Sequence, residues 1–175
     1  MVIRKAAQQD IPAVAVIYNA IIDKEERQPA TVVGWLRNVY PTEATAREAW
    51  KKGELYVMED ESGAIVAAAK VNQEQVPEYA DCCWKYQAPE EQVLVLHTLV
   101  VDPKQEGRGY GTAFVRWYEE MGRMMGCSCL RMDTNSHNLP ARRLYAHLGF
   151  EEPGIVECVF NGIPDVQLVC LEKKL

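Results

Sequence analysis

A loop with three glycines follows a hydrophobic run and carries groups suited to binding a phosphate. The run Val93 to Val101 predicts a strand, and after it comes Asp102-Pro103-Lys104-Gln105-Glu106-Gly107-Arg108-Gly109-Tyr110-Gly111-Thr112. Glycines at a helix start leave backbone N–H groups unhindered, and the positive end of the helix dipole adds to their attraction for anions. The loop therefore predicts a phosphate-binding site.

A second motif further along the chain places a phenol near that site. Asn138, Ala141 and Tyr145 have the spacing of one helix face, and Gly149 is placed to end the helix. A tyrosine hydroxyl can donate a proton or a hydrogen bond to a reacting group. The two motifs together predict an anion-binding loop with a proton donor beside it.

Two other classes of glycine loop fit poorly. A loop for nucleotide triphosphates needs a Gly-Lys-Ser/Thr ending to reach the terminal phosphates and magnesium, whereas Tyr110, Gly111 and Thr112 follow Gly109 here. A dinucleotide-binding loop is expected early in a repeated strand-helix-strand unit, but this one comes after residue 100 of 175. A simple tight helix entry is disfavoured by the second motif.

The chain resembles the GNAT superfamily of N-acetyltransferases over nearly its whole length. The matching features are the opening Ile3-Arg4-Lys5-Ala6 strand with Asp10, the Leu99-Val100-Val101-Asp102-Pro103 approach, the glycine loop, and the Asn-x-x-Ala-x-x-x-Tyr-x-x-x-Gly-Phe helix. The chain departs from the family pattern at Glu106, where the family has glutamine or arginine. We expect weaker or differently arranged cofactor contacts there, with Arg108 as a compensating cation.

The resemblance implies an α/β (α+β) fold of the GNAT type, and the length and composition of the chain predict one domain over residues 1–175. Its central sheet would be mixed, mostly antiparallel, splayed at the cofactor strand and flanked by helices. The residue pattern predicts a first helix that Asp10 caps, and a second helical region split into Pro29 to Tyr40 and Glu43 to Lys52. The aromatic residues of this second region are expected to border an acceptor pocket.

The resemblance also implies acetyl-CoA as the acyl donor and a set of residues that bind it. The expected cofactor-binding residues are Leu99, Val100, Val101, Glu106, Gly107, Arg108, Gly109, Tyr110, Gly111, Thr112, Asn138, Arg142 and Tyr145. By resemblance, the loop would bind the pyrophosphate, the N–H near Leu99 would face the thioester oxygen, and Val101 would pair with the pantetheine arm.

Acetyl transfer needs a neutral amine, a donor for the developing oxyanion and a proton for the departing thiolate. Tyr145 matches the tyrosine that many family members are thought to use as the acid. His97 is the expected base, because imidazole titrates near neutral pH and some members carry a histidine or glutamate there. Asp133 is a second base candidate and an expected acceptor contact. Packing roles for His97 and turn capping for Asp133 remain open at this stage.

A connection from Gln73 to Gln92 is long for a loop inside a compact domain. One interpretation is a substrate lid in which Glu78, Asp81 and Trp84 hold an amine by charge and cation–π attraction. The other is a packed surface flap with a helical turn or a dimer contact.

Composition limits the classes of partner. A net charge of −6 argues against a nucleic-acid surface, and no apolar run is long enough to cross a membrane. We expect a cytoplasmic protein with six reduced cysteines and no metal site. The resemblance leaves a homodimer open, because the final strands of this fold commonly pair.

The expected function is an acetyl-CoA-dependent N-acetyltransferase that acts on a primary amine of a small molecule or peptide, by direct attack in a ternary complex. The alternative is an acyl-CoA-binding or regulatory domain that has kept the fold without turnover, an idea motivated by Glu106.

Overall fold

Seven strands form one sheet in the computed structural model, which describes residues 1–175. The order across the sheet is β1-β2-β3-β4-β5-β7-β6, and all neighbours are antiparallel except β4 and β5. The strands are β1 (Val2–Lys5), β2 (Leu55–Glu59), β3 (Ile65–Asn72), β4 (Val93–Val101), β5 (Cys129–Asn135), β6 (Glu151–Phe160) and β7 (Ile163–Lys174). The expected mixed, mostly antiparallel α/β architecture is confirmed.

Four helices cover the two faces of the sheet: α1 (Ile11–Glu26), α2 (Glu43–Lys51), α3 (Tyr110–Met124) and α4 (Leu139–His147). Alternate residues of a strand face opposite sides. On β3, Ala68 packs under α1 and α2, whereas Ala67 and Ala69 pack under α3. Each face of the sheet therefore has its own apolar core.

The predicted second helical region is half correct. Thr42 caps α2 by accepting a hydrogen bond from the Thr45 N–H at 3.4 Å. Residues 29–40 form no helix, because Gly34 and Asn38 have positive φ angles of 74° and 60°. This segment is instead fixed by the Glu25 carboxylate, which accepts hydrogen bonds from three of its backbone N–H groups.

Asp10 occupies the predicted N-cap position of α1, but the capping bond expected from its side chain is not formed. Its carboxylate pairs instead with Arg4 and accepts the Ala7 N–H at 2.7 Å, because Arg4 on β1 lies within reach of it. Asp10 therefore joins the end of β1 to the start of α1.

The sheet splays between β4 and β5. Their parallel pairing runs from Val93 opposite Cys129 to Leu96 opposite Met132 and stops there, although both strands continue. The second half of β4 keeps its partner on the other side, where Val100 and Val101 pair with β3. A gap between two strands thus opens in the middle of the sheet.

A bulge lies at the point where the two strands part. Ala68 pairs with Val100 and Lys70 with His97, so two residues of β4, Thr98 and Leu99, stand opposite a single residue of β3. Thr98 has a φ of 53°, a conformation that L-residues adopt rarely. The bulge turns the last part of β4 away from β5.

The connection from 73 to 92 packs against the sheet and contains two short 3-10 turns, Pro77–Asp81 and Glu90–Gln92. The buried Glu172 carboxylate accepts the N–H groups of Lys85 and Tyr86, at 2.7 and 3.2 Å. Arg131 donates to the Tyr86 carbonyl at 2.9 Å. We call this segment the flap.

None of the helices is both long and apolar enough to cross a membrane.

Candidate active site

The glycine loop presents six consecutive backbone N–H groups, from Gly107 to Thr112, that have no hydrogen-bond partner within the protein. Gly107 and Gly109 both have a φ of 78°, and the space beyond each α-carbon is open. Gly109 is the residue before the first turn of α3, so the helix dipole adds to the field of these donors. The loop is therefore a preformed site for an anion.

The acidic residue of the loop has its own counter-ion. Lys24 of α1 lies 2.5 Å from the Glu106 carboxylate, and both side chains are exposed. Arg108 is exposed as well and forms no salt bridge. Lys24 thus offsets the negative charge of Glu106 only in part, because the pair is exposed, while the charge of Arg108 remains available beside the free N–H groups.

A cleft with an empty volume of about 840 Å³ occupies the gap between β4 and β5. The loop adjoins it, because a side chain added at Gly111 would lie 3.3 Å from Leu144 and 3.8 Å from Val101. We call it the strand cleft. Its walls include Leu99, Val100 and Val101 of β4, Asn138, Ala141 and Tyr145 at α4, and the aromatic residues Trp35, Tyr40 and Phe160.

Backbone donors of β4 also face this cleft. The Asp102 N–H donates to Val66 of β3 at 2.9 Å, and N–H groups along a strand alternate in direction. The N–H groups of Val101 and Leu99 therefore point away from β3, into the gap that β5 leaves. A ligand arm lying along β4 can accept hydrogen bonds from them.

The Tyr145 side chain is only 6% exposed, yet its hydroxyl makes no hydrogen bond within the protein. Its ring packs edge-on against Phe150 at 6.2 Å, which fixes its direction into the strand cleft. Burial, reinforced by the nearby Asp133 carboxylate, raises the pKa of Tyr145 well above its usual value. The phenol therefore keeps its proton and can donate it.

Two expected cofactor residues are engaged within the protein. Asn138 caps α4 by accepting the Ala141 N–H at 3.3 Å, and its amide donates to Thr134 at 3.2 Å. Arg142 forms a two-point ion pair with Glu152, at 2.9 and 2.7 Å, and donates to the Ser136 carbonyl. Asn138 lines the strand cleft, whereas Arg142 does not.

A second cleft, with an empty volume of about 970 Å³, meets the strand cleft at Asp133 and the Tyr40–Thr98 contact. We call it the acceptor cleft, after the role that we propose for it. His97 is part of its wall, and the His97 Nε2 lies 2.9 Å from the Asn72 side-chain oxygen. Burial, together with the nearby Lys70 ammonium, lowers the pKa of His97 to about 4. The imidazole is therefore neutral at pH 7.

Asp133 follows the part of β5 that pairs with β4, and it lines both clefts. Burial raises the pKa of Asp133 to about 6, although a hydrogen bond from Tyr79 partly opposes this. The Tyr79 hydroxyl donates to Asp133 Oδ2 at 2.7 Å. A carboxylate that titrates close to neutral pH thus stands where the clefts meet.

The three residues predicted to form a lid line neither cleft. Glu78 and Asp81 lie in the first turn of the flap, and Asp81 is exposed. The Trp84 ring covers the Arg131 guanidinium at 4.0 Å, and its N–H donates to the Tyr79 carbonyl at 2.8 Å. The indole thus packs on an arginine of the protein itself, as the packed-flap interpretation expects.

Sequence reasoning missed Tyr79 and Thr98 as parts of the site. Tyr79 reaches Asp133 from the flap, across a contact between residues 54 positions apart. The Thr98 hydroxyl shares a hydrogen bond with the Tyr40 hydroxyl, and Thr98 is the residue of the bulge that has a positive φ angle. No local pattern marks either residue. Trp35 and Tyr40 line the strand cleft, which confirms the expectation that aromatic residues of the second helical region border a pocket, without naming which ones.

Comparison with known proteins identifies the family. Residues 19–150 match the model of the Acetyltransferase (GNAT) family. An uncharacterised N-acetyltransferase of Methanocaldococcus jannaschii is 33% identical over 99 residues, which are 56% of this chain and 43% of that protein. The match thus spans less than half of the relative's length. The chain belongs to the GNAT acetyltransferase family.

Solved structures share the fold. A GNAT acetyltransferase from Streptococcus agalactiae superimposes with a TM-score of 0.81 at 18% identity, over 99% of this chain and 95% of that one. An acetyltransferase from Salmonella typhimurium, solved with its cofactor acetyl-CoA, gives a TM-score of 0.69 at 20% identity, over 100% and 94% of the chains. At these identities the likeness establishes the fold alone.

Proposed function

We propose that residues 1–175 form one acetyl-CoA-dependent N-acetyltransferase domain. It transfers an acetyl group to a primary amine of a small molecule or peptide, by direct attack in a ternary complex. The observation that carries this proposal is the row of six free N–H groups at the mouth of a cleft that leads to the unpaired Tyr145 hydroxyl. Membership of the GNAT family supports the same interpretation.

The residues present fit acetyl-CoA. The donors from Gly107 to Thr112 suit a pyrophosphate, and the N–H groups of Leu99 and Val101 suit the amide-bearing arm that follows it. Bound acetyl-CoA supplies the activated acetyl thioester. Leu99 holds a hydrogen-bond donor toward the place where negative charge develops, and such fixed donors give large rate effects in a site that excludes water.

Tyr145 acts as the acid in this proposal. Its hydroxyl faces the strand cleft, has no other partner and keeps its proton at neutral pH because the phenol is buried. Proton donation by a positioned side chain contributes about 10²–10⁴-fold to a rate. Asn138 supports Tyr145 indirectly, since it caps the helix that carries the phenol.

The acceptor amine enters through the acceptor cleft, which reaches the strand cleft at Asp133. Polar groups line this second cleft, among them Glu48, Lys52 and Lys70, whereas the junction is aromatic and carries one carboxylate. His97 and Asp133 are the two groups placed to take a proton from the amine.

Thiol release from acetyl-CoA tests the proposal. Wild-type protein is incubated with amines, polyamines, amino acids and short peptides, and parallel thermal melts are recorded with acetyl-CoA alone. Release with one acceptor class, together with a rise in melting temperature, is the expected result. Thermal stabilisation with no release from any acceptor would contradict turnover and favour the non-catalytic acyl-CoA-binding alternative that Glu106 motivates.

A further inference from the structure

Asp133 has one oxygen fixed and one oxygen free. Tyr79 donates to Oδ2 at 2.7 Å, whereas Oδ1 has no hydrogen-bond partner within the protein. The carboxylate lines both clefts, so the free oxygen has room for a ligand. A carboxylate held by one oxygen presents the lone pairs of the other in a fixed direction.

Tyr79 is itself held rigidly by the flap. Its side chain is 2% exposed, and the Trp84 ring packs on it edge-on with the ring centres 5.0 Å apart. The Trp84 N–H donates to the Tyr79 carbonyl at 2.8 Å, and the Trp84 ring rests on Arg131. The flap is thereby an anchored support that places one phenol against Asp133.

His97 is less suited to take the proton. It lines only the acceptor cleft, and its Nε2 lies 2.9 Å from Asn72. The Lys70 ammonium, directly across the β3–β4 pair, opposes a positive charge on the ring. A base works best when its pKa lies near the working pH, a condition that Asp133 meets more closely.

We infer that Asp133 is the general base of the proposed acetyl transfer and that Tyr79 positions it from the flap. This inference rests on the proposed function. An N–H bond of the neutral amine breaks and an O–H bond forms at Asp133 Oδ1; an acceptor that arrives as an ammonium first releases one proton to solvent. The nitrogen lone pair forms the amide bond, the C–S bond breaks with its electrons on sulfur, and Tyr145 supplies the proton that makes the thiol. The proton on Asp133 then returns to Tyr145 through water.

No cation pairs directly with Asp133, although Lys52 and Lys70 line the acceptor cleft that it borders. The titratable groups that interact with it come from the flap, the 27–42 segment, α4, β6 and β7, and they are Glu78, Tyr79, Tyr40, Tyr145, Cys158 and Cys170. Glu48 of α2 and His97 of β4 also line the acceptor cleft. Only Tyr79 donates a hydrogen bond to the carboxylate. Tyr79 is therefore the group that stabilises the ionised form.

The test compares Tyr79→Phe with Tyr86→Phe. Each variant removes one tyrosine hydroxyl from the flap, but the Tyr86 hydroxyl donates to the exposed Glu151 and not to Asp133. In wild type, kcat/KM should rise through an acidic limb near pH 6 that belongs to Asp133. In Tyr79→Phe that limb should move to higher pH, and kcat/KM at pH 7 should fall about tenfold, with KM for acetyl-CoA unchanged. Tyr86→Phe should match wild type.

A second readout needs no turnover. Carbon-13 NMR of protein labelled in its aspartate carboxyls follows the titration of Asp133, assigned by its loss in Asp133→Asn. Tyr79→Phe should shift that titration upward and Tyr86→Phe should leave it in place. An unchanged Asp133 titration and acidic limb in folded Tyr79→Phe would overturn the inference. If the wild-type protein acetylates no amine, the proposed function is wrong and Asp133 has no role as a base. The NMR titration would still show whether the Tyr79 hydrogen bond lowers the pKa of Asp133.

Discussion

The Tyr145 side chain is almost wholly buried, while its hydroxyl has no hydrogen-bond partner within the protein and opens on the strand cleft. A ligand in that cleft can accept a hydrogen bond from this hydroxyl. The phenol keeps its proton because ionisation in this apolar site, beside Asp133, is unfavourable. At the scale of single residues, Tyr145 is where the site is most specific.

Tyr145→Phe should therefore lower kcat about 10²-fold or more while leaving the Kd for acetyl-CoA nearly unchanged. The change removes one oxygen and keeps the ring that packs on Phe150. Steady-state kinetics and calorimetric titration measure the two quantities. Equal kcat in the variant and wild type would remove the phenol from the mechanism.

Asp133 should make the protein less stable at high pH. Its folded pKa of about 6 lies above the ordinary value of 3.8, so the folded state binds the proton more tightly than the unfolded state. The stability that this proton provides is fully present below pH 4 and is lost as the pH rises through 6.

Asp133→Asn should accordingly raise the free energy of unfolding at pH 8 by about 3 kcal/mol relative to wild type, with the gain fading toward pH 4. Denaturant titrations at the two pH values measure this difference. A gain of the same size at both pH values would show that the carboxylate charge is not its cause.

At the scale of elements, the glycine loop that joins β4 to α3 is the segment proposed to bind the pyrophosphate of acetyl-CoA. Gly109 adopts a positive φ with open space beyond its α-carbon, so the protein itself leaves room that a phosphate would use. A β-branched residue there would strain the backbone and fill that space.

Gly109→Val should abolish acetyl-CoA binding. Gly63→Val is the matched control, since Gly63 also has a positive φ and open space but lies in the β2–β3 turn. Both variants should lose stability of about 1–2 kcal/mol from strain. Calorimetry should show binding only for the control, and retained affinity in Gly109→Val would refute the phosphate assignment.

Glu106 is the loop residue at which this chain differs from the family pattern of glutamine or arginine. Its exposed ion pair with Lys24 is worth little, so the carboxylate should weakly repel a pyrophosphate. Glu106→Gln should tighten acetyl-CoA binding about two- to fivefold at low salt, and the gain should shrink as salt is added. Glu61→Gln, an exposed acid in the β2–β3 turn, should change nothing. Weaker binding by the Glu106→Gln variant would mean that Glu106 supports the loop.

Elements with strong local signals were predictable from the sequence. The bounds of β4 were predicted as they stand, and α2 was predicted from Thr42 with its last residue one position late. The helical prediction for residues 29–40 was wrong, because two residues there have positive φ angles and the Glu25 carboxylate holds the backbone in a non-helical conformation. The Tyr79–Asp133 bond and the Thr98 bulge depend on long-range packing, which local patterns do not record.

At the scale of the whole molecule, the split between β4 and β5 makes both clefts. The loop lies at one end of the strand cleft, and the acceptor cleft reaches its inner end at Asp133. Two ligands that enter by different routes can then meet beside Tyr145. This arrangement suits a ternary complex, since neither ligand has to leave before the other binds.

The most direct test of acetyl transfer quantifies free CoA and acetylated amine in the same reaction. Wild type with acetyl-CoA and an accepted amine should yield the two products in equal amounts, and both should form about 10²-fold more slowly in Tyr145→Phe. Mass spectrometry of the amine gives one quantity and a thiol reagent the other. Release of CoA without an acetylated amine would contradict direct transfer from the thioester to the acceptor.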